Sequence, residues 1–360
     1  MKLRTTFLNS RREERIILDI KSTLKTLTEQ IGVSGDEFAA SNAAATLLKQ
    51  YADNVETDIF GNVTGIVSSK KTNAKTLMLD AHIDQVGYIV TYIDEKGFIS
   101  VGLCGSPDVK MLPAQSVTIH GKKAVLGVVS TLPPHVRKNS AAPEIGDISI
   151  DIGMSREEAN GIISLGDRVT VNSAFRELSK DIVSAPAIDD RSGVCAILAA
   201  LDMLKGKDLA YDLAVCFSAQ EETGERGAKQ AAFRFQPDEC IAVDVSFGQT
   251  PDSDPKDTAE LGSGVMIGFS AALDKGMSNF LRKLAKKKNI PFTEEIMPGS
   301  TGTNADAIGV SGNGVKCCTL SFPIRYMHTP IECVNLNDIQ STARLICEYA
   351  LGGAEDDRQP

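Results

Sequence analysis

Three apolar runs of strand length in this chain lead straight into a histidine or a carboxylate, and that placement limits what the chain can fold into. Thr76–Ala81 ends in His82-Ile83-Asp84, Asp212–Ala219 in Gln220-Glu221-Glu222, and Cys240–Val243 runs into Asp244. A further run, Val315–Phe322, leads through Pro323–Met327 to His328, and the pair Asp189-Asp190 stands just before a helical pattern that starts near Ser192. Runs that are almost continuously apolar suit strands buried on both faces. Helical patterns at Ser192–Leu204, Met277–Lys288 and Asn337–Tyr349 alternate with them. Such alternation predicts an α/β sandwich with a mainly parallel central sheet. Ligands of such a sheet bind beyond the carboxyl ends of its strands. Five segments are therefore expected to bring imidazoles and carboxylates to one edge.

Between about residues 87 and 172 the pattern changes. Short β-rich runs (Tyr88–Ile93, Phe98–Leu103, Ser116–His120, Ala124–Val129) are separated by turns such as Asp94-Glu95-Lys96-Gly97, and the one helical pattern is Ser155–Gly161. This predicts a small β-rich domain inserted into a larger one built from residues 1–86 and 173–360. The closing GGAEDDRQP reads as a frayed tail.

Singly, each polar strand end has an ordinary explanation. A histidine can be a satisfied structural residue, a Glu-Glu pair solvated surface, and Asp-Asp a helix cap at the favourable end of the dipole. Together they weigh differently, because burying so many carboxylates without cations is costly and metal ions remove that cost. The chain has only four histidines, and two fall at strand ends; His120 and His135 lie in the insert and receive no role. Two imidazoles and three carboxylates suit zinc, cobalt or manganese and are too rich in nitrogen for calcium. Two ions sharing a carboxylate are suited to activating water, and Glu221 beside Glu222 supplies a carboxylate left over as general base.

Charge and composition exclude other classes. The 38 basic residues face 47 acidic ones, a net charge of −9 that argues against a nucleic-acid partner. The basic cluster Arg282–Lys288 reads as the solvated face of a helix. No apolar run approaches the ~20 residues that span a membrane, and no secretory signal is expected. Eight scattered cysteines without a CxxC pair read as buried thiols of a cytoplasmic protein. Gly299–Gly302 lacks the lysine of a phosphate-binding loop, and no GxSxG elbow supports a serine nucleophile.

The segments LDAHIDQVGYIV, SAPAIDDRSGVCA, SAQEETGERGA, IAVDVS and IRYMHTP resemble, in order, the metal-site motifs of the M42 family of metallo-aminopeptidases. That family includes glutamyl, deblocking and tetrahedral aminopeptidases. IGVSGDE, LPPHVRK, ISIDIGMS and GSTGTNADAI agree as well, so the resemblance runs from about Leu24 to Ala350. It implies a zinc-peptidase-like three-layer sandwich. It also implies that His82, Asp189 and Asp244 hold one divalent ion, zinc or cobalt first and manganese next. Asp189 would bridge to a second ion held by Glu222 and His328. Glu221 is similar to the family's general base, and Asp84 to the carboxylate that orients His82. The insert resembles a dimerisation domain from which dodecamers are built. Substrates would be short peptides with a free N-terminus. Gln85 and Asn304 depart from the commoner family pattern, which has an acid at both positions.

Two other readings use the same residues. A deacylase of N-acyl amino acids or peptides would share the dinuclear site and need a cation for a substrate carboxylate, with Arg325 and Arg191 the nearby choices. A non-catalytic scaffold would have no need of an intact base and ligand set.

Overall fold

The computed structural model describes residues 18–131, 135, 142–179 and 181–352. The charged N-terminal stretch, most of LPPHVRK and the tail after Gly352 lie outside the described residues. The chain opens with α1 (Ile20–Thr28), α2 (Phe38–Leu48), β1 (Asp53–Thr57), β2 (Val63–Val67) and β3 (Thr76–His82). There follow β4 (Gly87–Ile93), β5 (Ile99–Cys104), β6 (Ser116–His120), β7 (Ala124–Val129), β8 (Ser149–Asp151), α3 (Arg156–Ile162) and β9 (Arg168–Val171). Next come β10 (Arg176–Ser179), β11 (Ile182–Ala185), α4 (Ile188–Leu204), β12 (Asp212–Ser218), α5 (Arg226–Phe235) and β13 (Glu239–Phe247). The last elements are β14 (Val265–Ser270), α6 (Lys275–Lys288), β15 (Phe292–Met297), α7 (Asn304–Gly309), β16 (Lys316–Arg325), β17 (Glu332–Asn335) and α8 (Leu336–Ala350).

Among the described residues one mixed sheet of eleven strands runs β1-β2-β12-β3-β13-β16-β17-β11-β10, with β14 and β15 branching from β16. Its centre, β12-β3-β13-β16, is parallel. The flanks are antiparallel apart from β14 with β15. A mainly parallel sheet is therefore found only at the centre. The physical reason lies in the connections: parallel neighbours need long crossovers, which the helices between the apolar strands supply. The flanking strands carry no such pattern.

Alternation along the central strands explains the packing. Leu77 and Leu79, Leu213 and Val215, and Ile241 and Val243 face one apolar cluster that includes α4 and α8. Met78, Cys216 and Cys240 face another with Ala228, Ala231 and Ala232 of α5 and Ala305 and Ile308 of α7. Period two along each strand sends neighbours to opposite faces, and both faces are covered. Helix α6 has the same economy: Asp274 caps it by accepting from the Met277 N–H at 2.8 Å, Phe280, Leu281 and Leu284 are buried, and Lys286–Lys288 end it.

Strands β4-β5-β8-β7-β6-β9 close into an antiparallel barrel with its own core of Tyr88, Val90, Ile99, Val101, Val117, Ile119, Ile150 and Val169. The barrel leaves the sheet directly after β3 and returns before β10. The site that follows therefore lies beside it.

Candidate active site and metal centre

His82 ends β3, and Asp244 stands level with it on β13, because Ala242 pairs with Asp80 two residues earlier on each strand. His82 Nε2 lies 3.0 Å from Asp189 Oδ1 and 3.9 Å from Asp244 Oδ1. The other oxygen of Asp189 lies 3.4 Å from His328 Nε2, which is 3.5 Å from Glu222 Oε1. One carboxylate thus stands between two groups, His82–Asp189–Asp244 and Asp189–Glu222–His328. Within each group the donor atoms lie within 4.8 Å of one another. Glu221 shares a third such group with His82 and Glu222.

The far side of each imidazole governs its near side. His82 Nδ1 is 3.2 Å from the main-chain oxygen of Asp84, and His328 Nδ1 is 3.1 Å from that of Ser106. A carbonyl oxygen only accepts, so each Nδ1 carries a proton and each Nε2 is turned to the carboxylates. Asp84 also stands 3.5 Å from His82 Nδ1 through its carboxylate. It accepts from the Ser34 hydroxyl at 2.6 Å and from the main-chain N–H groups of Glu221 and Glu222 at 3.0 and 3.3 Å. One buried carboxylate thereby ties the end of β3 to the loop after β12.

Several of these positions rest on unusual backbone. Ala187, Gln220 and His328 have φ of 55°, 60° and 61°. Non-glycine residues there cost roughly 1–3 kcal/mol each, and surrounding contacts must hold them. For His328 the holder is Glu332, whose Oε1 accepts the His328 N–H at 2.8 Å while its Oε2 accepts the Asp189 N–H at 3.1 Å. The barrel helps: the Asp108 N–H donates to the His328 carbonyl at 3.2 Å. Gly105, at φ +73°, lets the loop after β5 approach, since a Cβ there would stand 3.1 Å from that of Glu222.

Burial pushes the Asp244 and Glu222 carboxyls well above their ordinary range, and for Glu222 the charge of Asp189 adds to it. Burial likewise lifts Glu221 to about 7, against the opposing charge of His82. Asp189 goes the other way: burial opposes its ionisation, but hydrogen bonds from His328 and His82 hold it low. The His82 imidazole, which burial alone would neutralise, is held well above its usual value by its bonds to Asp189 and Asp84. The cluster contains more carboxylate than two imidazoles can keep ionised, and divalent cations would relieve the excess. With nitrogen and oxygen donors in two adjoining groups, the residues fit such ions.

Every site residue singled out from the sequence, His82, Asp84, Asp189, Glu221, Glu222, Asp244 and His328, stands in this one cluster. Sequence reasoning gave no role to Glu332, Asp190, Ser34 or Ser106. Asp190 is fully buried and accepts from the main-chain N–H groups of Gly193 and His82 at 3.0 and 3.3 Å. A lone acid at the head of the apolar run Cys333–Val334 was the available signal for Glu332. Ser106 contributes a main-chain oxygen, which no side-chain pattern announces.

The two departures from the family pattern have local reasons. Gln85 accepts from Arg191 Nη2 at 2.9 Å. Asn304 donates to Asp80 Oδ2 and to the Ser218 hydroxyl, each at 2.8 Å, where an ionised acid would face Asp80 without a donor. Arg191 is fully buried, with its guanidinium spent on the carbonyls of Ile83, Leu27 and Gln30. Arg325 donates its Nε–H to the Gln249 carbonyl at 2.7 Å. Neither arginine lines the cavity at the cluster, so neither supplies there the anion contact that the deacylase reading asks of them.

A His/carboxylate cluster that could hold metal ions, at the carboxyl edge of parallel strands on an α/β body with a barrel inserted after β3, has the make-up of a metal-dependent hydrolase site. The family model described as M42 glutamyl aminopeptidase matches residues 61–345. A lysyl aminopeptidase of Pyrococcus furiosus is 34% identical over 89% of this chain and 94% of its own length. The structure of an aminopeptidase from the archaeon Desulfurococcus kamchatkensis superimposes with a TM-score of 0.88 at 30% identity, covering 94% of this chain and 96% of the other. A Pyrococcus horikoshii TET1 peptidase, which assembles into a tetrahedron or a large octahedral shell, gives 0.82 at 27% identity, covering 93% and 100%. The chain belongs to the M42 family and is an aminopeptidase, a hydrolase of peptide bonds.

Proposed function

We propose that the chain removes the first residue of short peptides at a dinuclear site, with His82, Asp189 and Asp244 holding one divalent ion and Asp189, Glu222 and His328 the other. The observation that carries this reading is the division of Asp189 between two imidazoles, one on each oxygen. Zinc or cobalt suits the donors best, and manganese next. Bound ions would polarise the scissile carbonyl and lower the pKa of water toward ~7. Glu221, half-buried beside His82 and Glu222, takes the proton of the attacking water and hands one to the leaving amine. Asp84 keeps His82 oriented and holds the loop of Glu221 in place. A free substrate α-amine meets the carboxylates around the ions, which limits cleavage to the terminal residue.

The β-barrel domain is assigned to pairing with a second copy. Leu126 and Val128 on β7, Tyr92 on β4 and Leu103 on β5 are exposed apolar side chains on its outside. The assembly built from such dimers is a homo-oligomer, up to a dodecamer. Eight free cysteines, all buried, suit the reducing cytoplasm. Among the described residues no helix is long and apolar enough to cross a membrane.

Hydrolysis of aminoacyl-p-nitroanilides, free and N-acetylated, by zinc- or cobalt-loaded protein tests the reading. The expected result is cleavage of the unblocked series alone, lost with a chelator and restored by metal. Release of acetate from the blocked series would replace it with the deacylase reading.

A further inference from the structure

Strand β15 pairs with β14 alone, so its outer edge has no strand beside it among the described residues. Such an edge offers a row of main-chain donors and acceptors to any extended chain that reaches it. A groove of about 910 Å³ follows this strand, lined by residues 293–298 and by residues 255–260. Neighbouring side chains of a strand point to opposite faces, so a groove on one face would meet every second residue. This groove meets six in a row, which places it along the edge. Phe247 and Ile296, 60% and 68% exposed, are apolar side chains on its wall. The groove is continuous with the cavity of about 300 Å³ that His82, Asp189 and Asp244 line, because Phe247, Glu295 and Met297 belong to both.

We propose that this groove binds the substrate beyond its scissile bond, as an extended strand added to the edge of β15, so that peptides of several residues are preferred to dipeptides. The inference rests on the aminopeptidase reading of the cluster. With the first residue held at the carboxylates, the following residues pass Phe247 and Met297 and enter the groove. Strand β15 spans six residues, about 20 Å, the length of five or six extended residues of substrate. Main-chain bonds to a strand edge supply affinity whatever the sequence, while alternate side chains rest on Phe247 and Ile296. A hold of that kind tolerates the new sequence that each removed residue leaves behind. Continuity with the cluster is what points to substrate rather than to the edge of a second copy.

The test is kcat/KM for unblocked peptides of two to ten residues that share one N-terminal residue, the one whose p-nitroanilide the metal-loaded enzyme cleaves best, with that p-nitroanilide alongside. The value should rise about 10-fold or more between two and seven residues, mainly through KM, and level off beyond. Ile296→Asp puts a charge on the groove wall at an exposed position. The ratio of kcat/KM for the eight-residue peptide to that for the p-nitroanilide should then fall about 5-fold or more, and by less in Ile296→Ala. Equal kcat/KM at every length overturns the proposal, and so does a length preference that both variants leave intact. A smaller particle mass for Ile296→Asp by light scattering, with that ratio unchanged, would give the edge to a second copy instead. Cleavage of the p-nitroanilide without a length preference removes this inference alone. Silence on every substrate removes the aminopeptidase reading with it.

Discussion

Replacing Glu221 with glutamine isolates its part in the reaction, because the amide keeps the size and loses the basic oxygen. In the proposed site His82 and Glu222 hold the ions and Glu221 does not, so the expected outcome is loss of kcat by about 10²- to 10⁴-fold with metal content retained. Turnover and metal analysis on the same sample check this. A second prediction concerns Glu37, buried near Asp84, whose Oε1 accepts from the Gly35 N–H at 2.7 Å. Burial lifts its carboxyl to about 7. The folded state therefore holds a proton that the unfolded chain releases near pH 4.5, and stability falls as pH rises from about 4.5 to 7. The shift of about 2.5 units corresponds to a penalty on the order of 3 kcal/mol above pH 7. Glu37→Gln should remove it. Urea unfolding midpoints of the variant and the parent should agree more closely at pH 5 than at pH 8, with the variant ahead at pH 8.

Elements were readable where their burial is complete. Strands β3, β12, β13 and β16 carry nearly unbroken apolar runs because helices cover both faces, and their polar ends stood out against that background. The flanking strands β10, β11 and β17 are only four residues each, too short for a period to declare itself. Helix α5 escaped notice although Ala228, Ala231 and Ala232 mark a buried stripe, since alanine is a weak apolar signal. Another tie between elements was invisible for a different reason. Asp338, in the first turn of α8, accepts from the N–H groups of Gly262 and Gly264, each at 2.7 Å. It lies 74 residues from Gly264, and only the fold makes them neighbours. Asp338→Ala strands two donors and should lower stability by about 2–4 kcal/mol, read as a fall in thermal midpoint with metal loading unchanged.

At the scale of the molecule, the barrel and the sheet meet at the site, where Gly105, Ser106 and Asp108 of the barrel touch Glu222 and His328. The barrel's outward apolar residues belong to the proposed contact between copies. Leu126→Glu places a charge on a 72% exposed position outside the barrel core, so the fold should survive. Light scattering should then report a smaller assembly than the parent forms. A parent and variant of equal mass would locate the contact elsewhere. By itself the sequence determined the chemistry: which strands are buried, that imidazoles and carboxylates follow them, and hence the family and its reaction. Those features are local, since burial and periodicity are written into neighbouring residues. The tertiary structure alone decided what holds the cluster in place: Glu332 steadying His328 and Asp189, and Arg191 bonded to three carbonyls. Each of these depends on distances between segments far apart in the chain, and no local pattern encodes a distance.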